Sequence, residues 1–410
     1  MILNYIWVSF FFVAFAVALV KLIFFQDATV FPAMLTSMFE SARTGFEISI
    51  GLTGVMTFWL GLMKVGEKGG ILPILSRTVG PFFARLFPGV PREHPAMGSI
   101  IMNFSANILG LDNAATPLGL KAMKELQEVN PDKDTASDAQ IMFLVLNASG
   151  LTVIPLAIIA DRVTLGSVNP TGIFIPTLIA TFCSTMVGLI YLSYKQKINL
   201  LDRVLLTYLL GLTTLVGLTV WYFSSLPQDE LQRQSTLVTS VIILGIVIWI
   251  LFLGVRSKIP VFETFIEGAK EGFEIAVKVI PYLVAMLVGI SIFRSSGTLD
   301  VITDGIKIAV VAMSMDAAFV DALPVAFLKP LSASAARTMM IAVSKEMGVD
   351  SFAGNLSSVI RGCAETTFYI IAVYFGSVNI RKTRYAVSAG LVADIAGFTA
   401  AIVVAYIFFK

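Results

Sequence analysis

A chain of 410 residues that is 57% hydrophobic and only 14% charged, with a mean hydropathy of +0.86, lies outside the soluble globular class, where about 45–50% apolar and about 25% charged residues are usual. Its net charge of +2 is spread between apolar runs, which leaves no basic block for a nucleic acid to bind. Two cysteines, Cys183 and Cys363, sit in apolar surroundings and form neither a disulfide framework nor a metal cluster by pattern.

The first apolar stretch, Ile2 to Leu19, has no basic leader and no small-residue cleavage site, so it reads as a retained helix and not as a signal peptide. Runs long enough to cross a hydrocarbon core follow it, and the spans expected are 2–20, 46–63, 140–160, 171–194, 203–223, 236–255, 273–293, 351–377 and 385–408. Amphipathic segments at 33–45 and 261–272 precede two of them. Residues 97–120 and 309–344 are apolar but interrupted by Asn, Asp, Pro, Ser and Gly, the composition of interrupted or re-entrant helices that line a cavity instead of facing lipid.

The chain resembles itself. Glu40-Ser-Ala-Arg-Thr-Gly-Phe-Glu-Ile48 recurs as Glu267-Gly-Ala-Lys-Glu-Gly-Phe-Glu-Ile275. Collinear matches continue from Gly70 and Leu72 on Gly297 and Leu299, through Asn113 to Thr116 on Ser334 to Arg337, to Ser167-Val-Asn169 on Ser377-Val-Asn379. Such a series indicates duplication. The organisation read from it is a first unit at 1–200, a connecting transmembrane helix and loop at 201–235, and a second unit at 236–410. One extra crossing between two like units turns the second over, so an inverted pair is expected. With the N-terminus inside, 17 basic residues fall on cytoplasmic loops, among them Lys64, Lys68, Arg77, Lys195 and Arg381, against 9 outside, including Arg162, Lys329 and Arg337. That is the sense of the positive-inside rule.

Inverted repeats with broken helices place solute near the bilayer midplane, where half-helices leave polar backbone groups. Three polar strips supply side chains there. The first holds Asn103, Ser105, Asn107, Asp112, Asn113 and Thr116, whose amides suit a neutral hydrogen-bonding ligand. The second holds Asp316, Asp321, Lys329, Ser332, Ser334 and Arg337; its cations either hold an anion or pair with Asp316 or Asp321. The third runs from Asp350 through Asn355, Ser358 and Arg361 to Glu365, Thr366 and Thr367, matched by Asn147 and Ser149 to Thr152 in the first half. Arg361 and Glu365 are four apart and so share a helix face, which permits an internal ion pair; Glu365 facing a cavity would instead take up a proton or Na⁺.

The candidate solute contacts are therefore Asn103, Asn107, Asn113, Thr116, Asn147, Ser149, Ser332, Ser334, Arg337, Asn355, Ser358, Thr366 and Thr367, with Asp321 and Glu365 as ion-coupling groups. Against this stands a structural reading, in which buried Asn and Ser join helices at roughly 0.6–2 kcal/mol each. Glu47 and Glu274 open spans and suit helix N-termini. The single histidine, His94, falls in a solvated loop, and Gly66-Glu-Lys-Gly-Gly70 lacks phosphate-loop spacing. No GxSxG, phosphate-loop or HExxH pattern occurs, so neither an enzyme nor a bound metal or cofactor is expected.

The motifs themselves are familiar. LGLDNAATPLGLKAM, within Asn103 to Met123, resembles the spore maturation protein A family, and LPVAFLKPLSASAAR, DSFAGN and CAETTFYIIAVYFGSV, within Leu323 to Gly397, resemble the spore maturation protein B family. Both families are similar to the nucleoside-recognition or Gate domains of concentrative nucleoside transporters and of ferrous-iron permeases. The resemblance implies a transport-type fold, and in spore formers the pair is linked to dehydration of the spore core.

The expectation is an all-α polytopic protein of the cytoplasmic (inner) membrane, with two inverted Gate-type repeats joined by one extra helix. It would carry a small polar solute, nucleoside-like or a small organic anion, coupled to Na⁺ or H⁺. Its partners are the solute and the lipid bilayer, with no nucleic acid; homo-oligomerisation is left open. The alternative is a non-transporting protein of envelope or spore-core water homeostasis that acts through a partner.

Overall fold

The computed structural model describes residues 2–91, 93–108, 112–150 and 155–410, and side chains of some helical residues, Asn113 and Thr116 among them, lie outside that description. α1 (Ile2–Phe25) leads into α2 (Val30–Lys68), which runs 39 residues without a break. Gly70, at φ +87°, takes the left-handed turn that starts α3 (Ile71–Leu86), a conformation that glycine adopts without steric cost. Next come α4 (Pro95–Ile108), α5 (Asp112–Glu128) and α6 (Asp138–Ala148), the last opened by a reciprocal Ser137–Gln140 capping box. α7 (Leu156–Thr164) and α8 (Phe174–Gln196) follow. α9 (Arg203–Ser224) is capped by Asp202, whose carboxylate accepts from the N–H groups of Val204 and Leu205. α10 (Gln228–Arg256) and the 35-residue α11 (Val261–Ser295) complete the middle of the chain.

Gly297, at φ +82°, turns α11 into α12 (Thr298–Ala312). A short 3-10 turn, Ala318–Ala322, runs into α13 (Leu323–Leu328). Ser332 caps α14 (Ala333–Met347) and Ser351 caps α15 (Phe352–Gly362), each hydroxyl accepting from a first-turn N–H, a contact typically worth about 1 kcal/mol. α16 (Thr367–Ser377) and α17 (Ala386–Phe408) end the fold.

Among the described residues, six stretches are long and apolar enough to cross a membrane: Trp7–Phe25, Phe174–Gln196, Arg203–Phe223, Thr236–Arg256, Phe352–Ser377 and Ala386–Phe408. The protein is accordingly an all-helical, multi-pass membrane protein. Their burial separates inner from outer helices: 67% of the α8 window is buried within the protein, against 6% for α9. α9 therefore presents its apolar side chains, such as Leu210, Leu215 and Trp221, outward, as a lipid-facing helix does. The central contact is α2 against α11, closed by small residues. A Cβ on Gly268 would lie 2.4 Å from the Leu60 carbonyl oxygen and 3.1 Å from Gly61 Cα, so the backbones meet as only glycine permits. α8 and α17 pack in the same manner, Gly188 facing Ala393 and Gly397 facing Ser184.

Several sequence expectations change here. The expected span 351–377 stands as Phe352–Ser377 but carries a break between Gly362 and Thr367, whereas 140–160 is not one helix, since α6 ends at Ala148. The segments 33–45 and 261–272 are not separate helices but the first turns of α2 and α11. Glu47 lies in the interior of α2, with its side chain 2.7 Å from Arg43, and not at a helix start. Gly66 to Lys68 belong to α2, and only Gly69 and Gly70 form the turn. Three cations counted as loop charges, Arg162, Lys329 and Arg337, are drawn into the protein, with side chains 1%, 6% and 15% exposed.

Candidate functional site: four helix breaks around Glu365

The breaks in the chain come together. Glu365, in the gap between α15 and α16, donates its backbone N–H to the carbonyl of Ala148, at the end of α6, at 2.7 Å. Three residues on, Phe368 N–H reaches the carbonyl of Pro330, in the turn between α13 and α14, at 3.0 Å. Across the gap between α4 and α5, the Asn103 amide donates to the Ala115 carbonyl at 2.7 Å. The first two bonds serve backbone groups at helix ends that have no partner within their own helix, which is how non-helical backbone is tolerated at membrane depth.

Asparagines tie these breaks to one another. Asn107 donates from Nδ2 to Asn147 Oδ1 at 2.8 Å and also approaches Asn103 Oδ1 at 3.4 Å. Asn147 in turn donates to the Phe143 carbonyl at 2.8 Å and accepts from the Tyr374 hydroxyl at 3.4 Å. Tyr374 reaches this network because Gly119 has no side chain: a Cβ there would stand 2.2 Å from the phenolic oxygen. Asn103 is fully buried and Asn147 is 5% exposed.

Beside them lies a charged group of three. Lys329, 6% exposed at its side chain, has Nζ 4.0 Å from Glu365 Oε2, and the Glu365 side chain is 46% exposed. Asp394, from the middle of α17 and 1% exposed, accepts on Oδ2 from the Thr367 hydroxyl at 2.7 Å. Thr367 stands two residues from Glu365, which brings Asp394 into the same group. Thr366 Oγ1 and Asp394 Oδ1 are buried and have no hydrogen-bond partner among the described residues.

A second charged group lies around Asp161 and Arg162, with both Asp161 oxygens engaged and Arg162 Nε without a partner among the described residues. Asp161, fully buried in α7, receives Arg337 through Nε at 3.0 and 3.1 Å and through Nη2 at 2.7 Å, and is also paired with Arg361 Nη1. Next to it in the chain, Arg162 Nη2 bonds Asp350 at 2.8 Å and Ser167 at 3.1 Å, while Nη1 reaches the Val349 carbonyl at 3.0 Å and Ser358 at 3.3 Å. By formal charge the Asp161 group is +1, the Lys329–Glu365–Asp394 group is −1, and the Arg162–Asp350 pair is neutral. Summed over these three groups, the formal charge is zero.

The sequence candidates divide accordingly. Asn103, Asn107, Asn147, Thr366, Thr367 and Glu365 are brought together at the breaks, with Ser149 beside them, its hydroxyl 3.4 Å from the Leu146 carbonyl. Arg337 and Ser358 belong to the ion-pair region around Asp161 and Arg162. Asn355 bonds the Asp350 carbonyl at 2.9 Å, and Ser332 is occupied as the α14 cap. Ser334 is exposed, and the side chains of Asn113 and Thr116 are outside the described residues. Asp321 sits apart, 2.7 Å from Lys307. The expected Arg361–Glu365 pair gives way to Arg361–Asp161 and Lys329–Glu365, because α15 ends at Gly362 and Glu365 no longer follows its helical register. Lys329 and Arg337 pair with Glu365 and Asp161, while Asp316 pairs with Lys410.

Asp161, Tyr374 and Asp394 were not singled out in the sequence. For Asp394 the signal is present: it is the only ionisable residue between Arg384 and Lys410 other than Tyr385 and Tyr406, and a carboxylate within a span marks function by default. A separate hollow of about 420 Å³ between α3, α8 and α9, lined by Phe82, Met186, Leu212 and Leu215 among others, is almost wholly apolar and offers a polar solute little to bond.

The Gate family, described as nucleoside recognition, matches residues 49–163, the segment that carries Asn103, Asn107, Asn147 and Asp161. Spore maturation protein A of Bacillus subtilis (strain 168) is 41% identical over 197 residues, spanning 47% of this chain and 97% of that protein. Spore maturation protein B of the same organism is 44% identical over 164 residues, spanning 40% of this chain and 90% of that protein. No solved structure matches significantly. Because the two relatives align with different halves and each is covered almost from end to end, the chain belongs to the spore maturation protein A and B family of Gate-domain membrane proteins, with both members joined in one polypeptide.

Proposed function

We propose that the protein is a secondary transporter or permease of a small polar solute, nucleoside-like or a small organic anion, in the cytoplasmic membrane. The observation that carries the reading is the meeting of broken helices at one polar centre, where the Glu365 N–H to Ala148 carbonyl bond lies between the asparagine network and the Lys329–Glu365–Asp394 group. Interrupted helices at membrane depth expose fixed backbone dipoles and amides that bind solute reversibly. The chemistry offered is hydrogen bonding and charge, without a covalent step, so the protein is read as a carrier and not an enzyme.

The proposal includes two inverted repeats around that centre. In its support, the long helices α2 and α11 each end at a left-handed glycine, Gly70 and Gly297. α6 and α15 are both 11 residues long, are both opened by a serine cap, and are both followed by a break. α8 and α17 are both 23 residues long. Between the two coupling candidates, the close Asp321–Lys307 pair favours Glu365, whose side chain is half-exposed and whose partner stands at 4.0 Å.

A second reading, a static envelope protein acting through a partner, draws on the closed bonding around Asp161, which holds helices together without any ligand. Flux decides between them. Full-length protein in liposomes, offered nucleosides, small carboxylates and amino acids under proton and sodium gradients, is expected to accumulate one class, with uptake lost in Asn107→Ala and Asn147→Ala. Failure of every solute to move in folded protein refutes the transport reading.

A further inference from the structure

We propose that Asp394 is a proton-binding site, loaded through Glu365, that sets the charge of the polar centre. The inference deepens the transport reading, since a proton held there is a coupling ion for solute movement. It begins from a mismatch in satisfaction. Asp394 is 1% exposed, and only Oδ2 is partnered, by Thr367. Oδ1 has no partner among the described residues, nor has the hydroxyl of Thr366, one residue from the threonine that holds Oδ2. A buried carboxylate oxygen left without a donor is among the costliest arrangements a protein interior can hold. A proton on Oδ1 removes the charge that the missing donor leaves unstabilised.

The neighbours fix how many protons are needed. Lys329 and Glu365 are the charged residues grouped with Asp394, and the Cys363 thiol at the end of α15 lies against Gly397, three residues along α17 from Asp394. α8 contributes only neutral contacts: Ser184 donates to the Ala393 carbonyl at 2.9 Å, and Gly188 faces Ala393. With Lys329 charged and both carboxylates ionised the group carries −1; one proton brings it to zero. In a medium of low dielectric the neutral count is strongly favoured.

Glu365 gives that proton a route. Its side chain is 46% exposed, whereas Lys329 and Asp394 are nearly sealed, and its backbone is bonded across the breaks to Ala148. Movement of the α15–α16 break therefore changes the access of Asp394 to water. The transfer is a simple protonation: a proton enters on the Glu365 carboxylate, leaves it, and forms the O–H bond on Asp394 Oδ1, with no other reactant.

The test is pH-difference infrared spectroscopy of the full-length protein in liposomes, reading the carbonyl stretch of protonated carboxyl groups. Wild-type protein should show a band that titrates with pH. Asp394→Asn should lose it, Asp394→Glu should keep it at a shifted frequency in a folded protein, and Glu365→Gln should keep it but shift its midpoint by about one pH unit. A band that survives Asp394→Asn overturns the proposal, as does a band that added Na⁺ abolishes at constant pH, since the site would then hold a metal cation. The readout needs no solute. A failed transport panel therefore leaves an Asp394 band standing, and intact flux without that band sinks the proton site alone.

Discussion

Asp161 and Asp394 are carboxylates of nearly equal burial, 0% and 1% exposed, in two parts of one interior. Asp161 is gripped by two guanidiniums, Arg337 from α14 and Arg361 from α15. Asp394 has one threonine hydroxyl, an empty oxygen, and a lysine engaged with another carboxylate. Satisfied charge rigidifies, whereas unsatisfied charge retained in a buried place implies a second state in which it is matched. On the proposed function, the first region is the frame that fixes α7, α14 and α15, and the second is the part that moves a proton.

Breaking the frame should produce the largest effect. Asp161→Asn leaves two arginines without their carboxylate, and removing one partner of a buried ion pair costs about 3–5 kcal/mol. A sharp fall in thermal stability in detergent is expected, and an unchanged melting temperature would mean that the frame is not one. Thr367→Val removes the one hydrogen bond that Asp394 accepts among the described residues and should cost about 1–3 kcal/mol, measured the same way; stability equal to wild type would show that Asp394 finds another donor.

Glu365→Gln should be mild for stability and severe for function. Its side chain is half-exposed and its ion pair long, so a loss of about 1 kcal/mol or less is expected, together with at least a tenfold fall in proton-driven uptake. Equal loss of folding and uptake would return Glu365 to the frame. The smallest effect lies outside the spans. The Lys410 ammonium, with help from the Ala318 N–H, holds Asp316 below its ordinary value. Such a pair stabilises above the ordinary carboxylate range and is lost as pH falls through it. Because Asp316 is exposed, Asp316→Asn should leave the melting temperature at neutral pH unchanged within error, and a large drop would contradict the assignment of stability to the interior.

How much of this could be read in the chain depended on the kind of signal. The interruption at 309–344 is spelled out by Asp, Pro and Ser and is present; in 97–120 the chain folds back so that Asn103 bonds Ala115, with residues 109–111 outside the described residues. The breaks after Ala148 and Gly362 are not legible, since Leu146-Asn-Ala-Ser-Gly150 and Gly362-Cys-Ala-Glu-Thr366 are polar yet too short, and lack a proline, to mark where a span stops being helical. It is the tertiary bond from Glu365 to Ala148 that stabilises both. The asparagines and Glu365 were legible as polar groups in apolar context. Their partners were not: Asp161 finds Arg337 and Arg361 across 176 and 200 positions, a pairing that no local spacing encodes. The Arg361–Glu365 reading failed for the same reason, having assumed a helix to continue where the fold ends it.

The most direct measurement is proton-driven solute uptake by full-length protein in liposomes, wild type against Glu365→Gln, with melting temperature recorded on the same samples. The account predicts that a polar solute enters with the wild type and not with the variant while the melting temperatures agree. Uptake unaffected by the substitution, or absent from well-folded wild type across the whole panel, would contradict it.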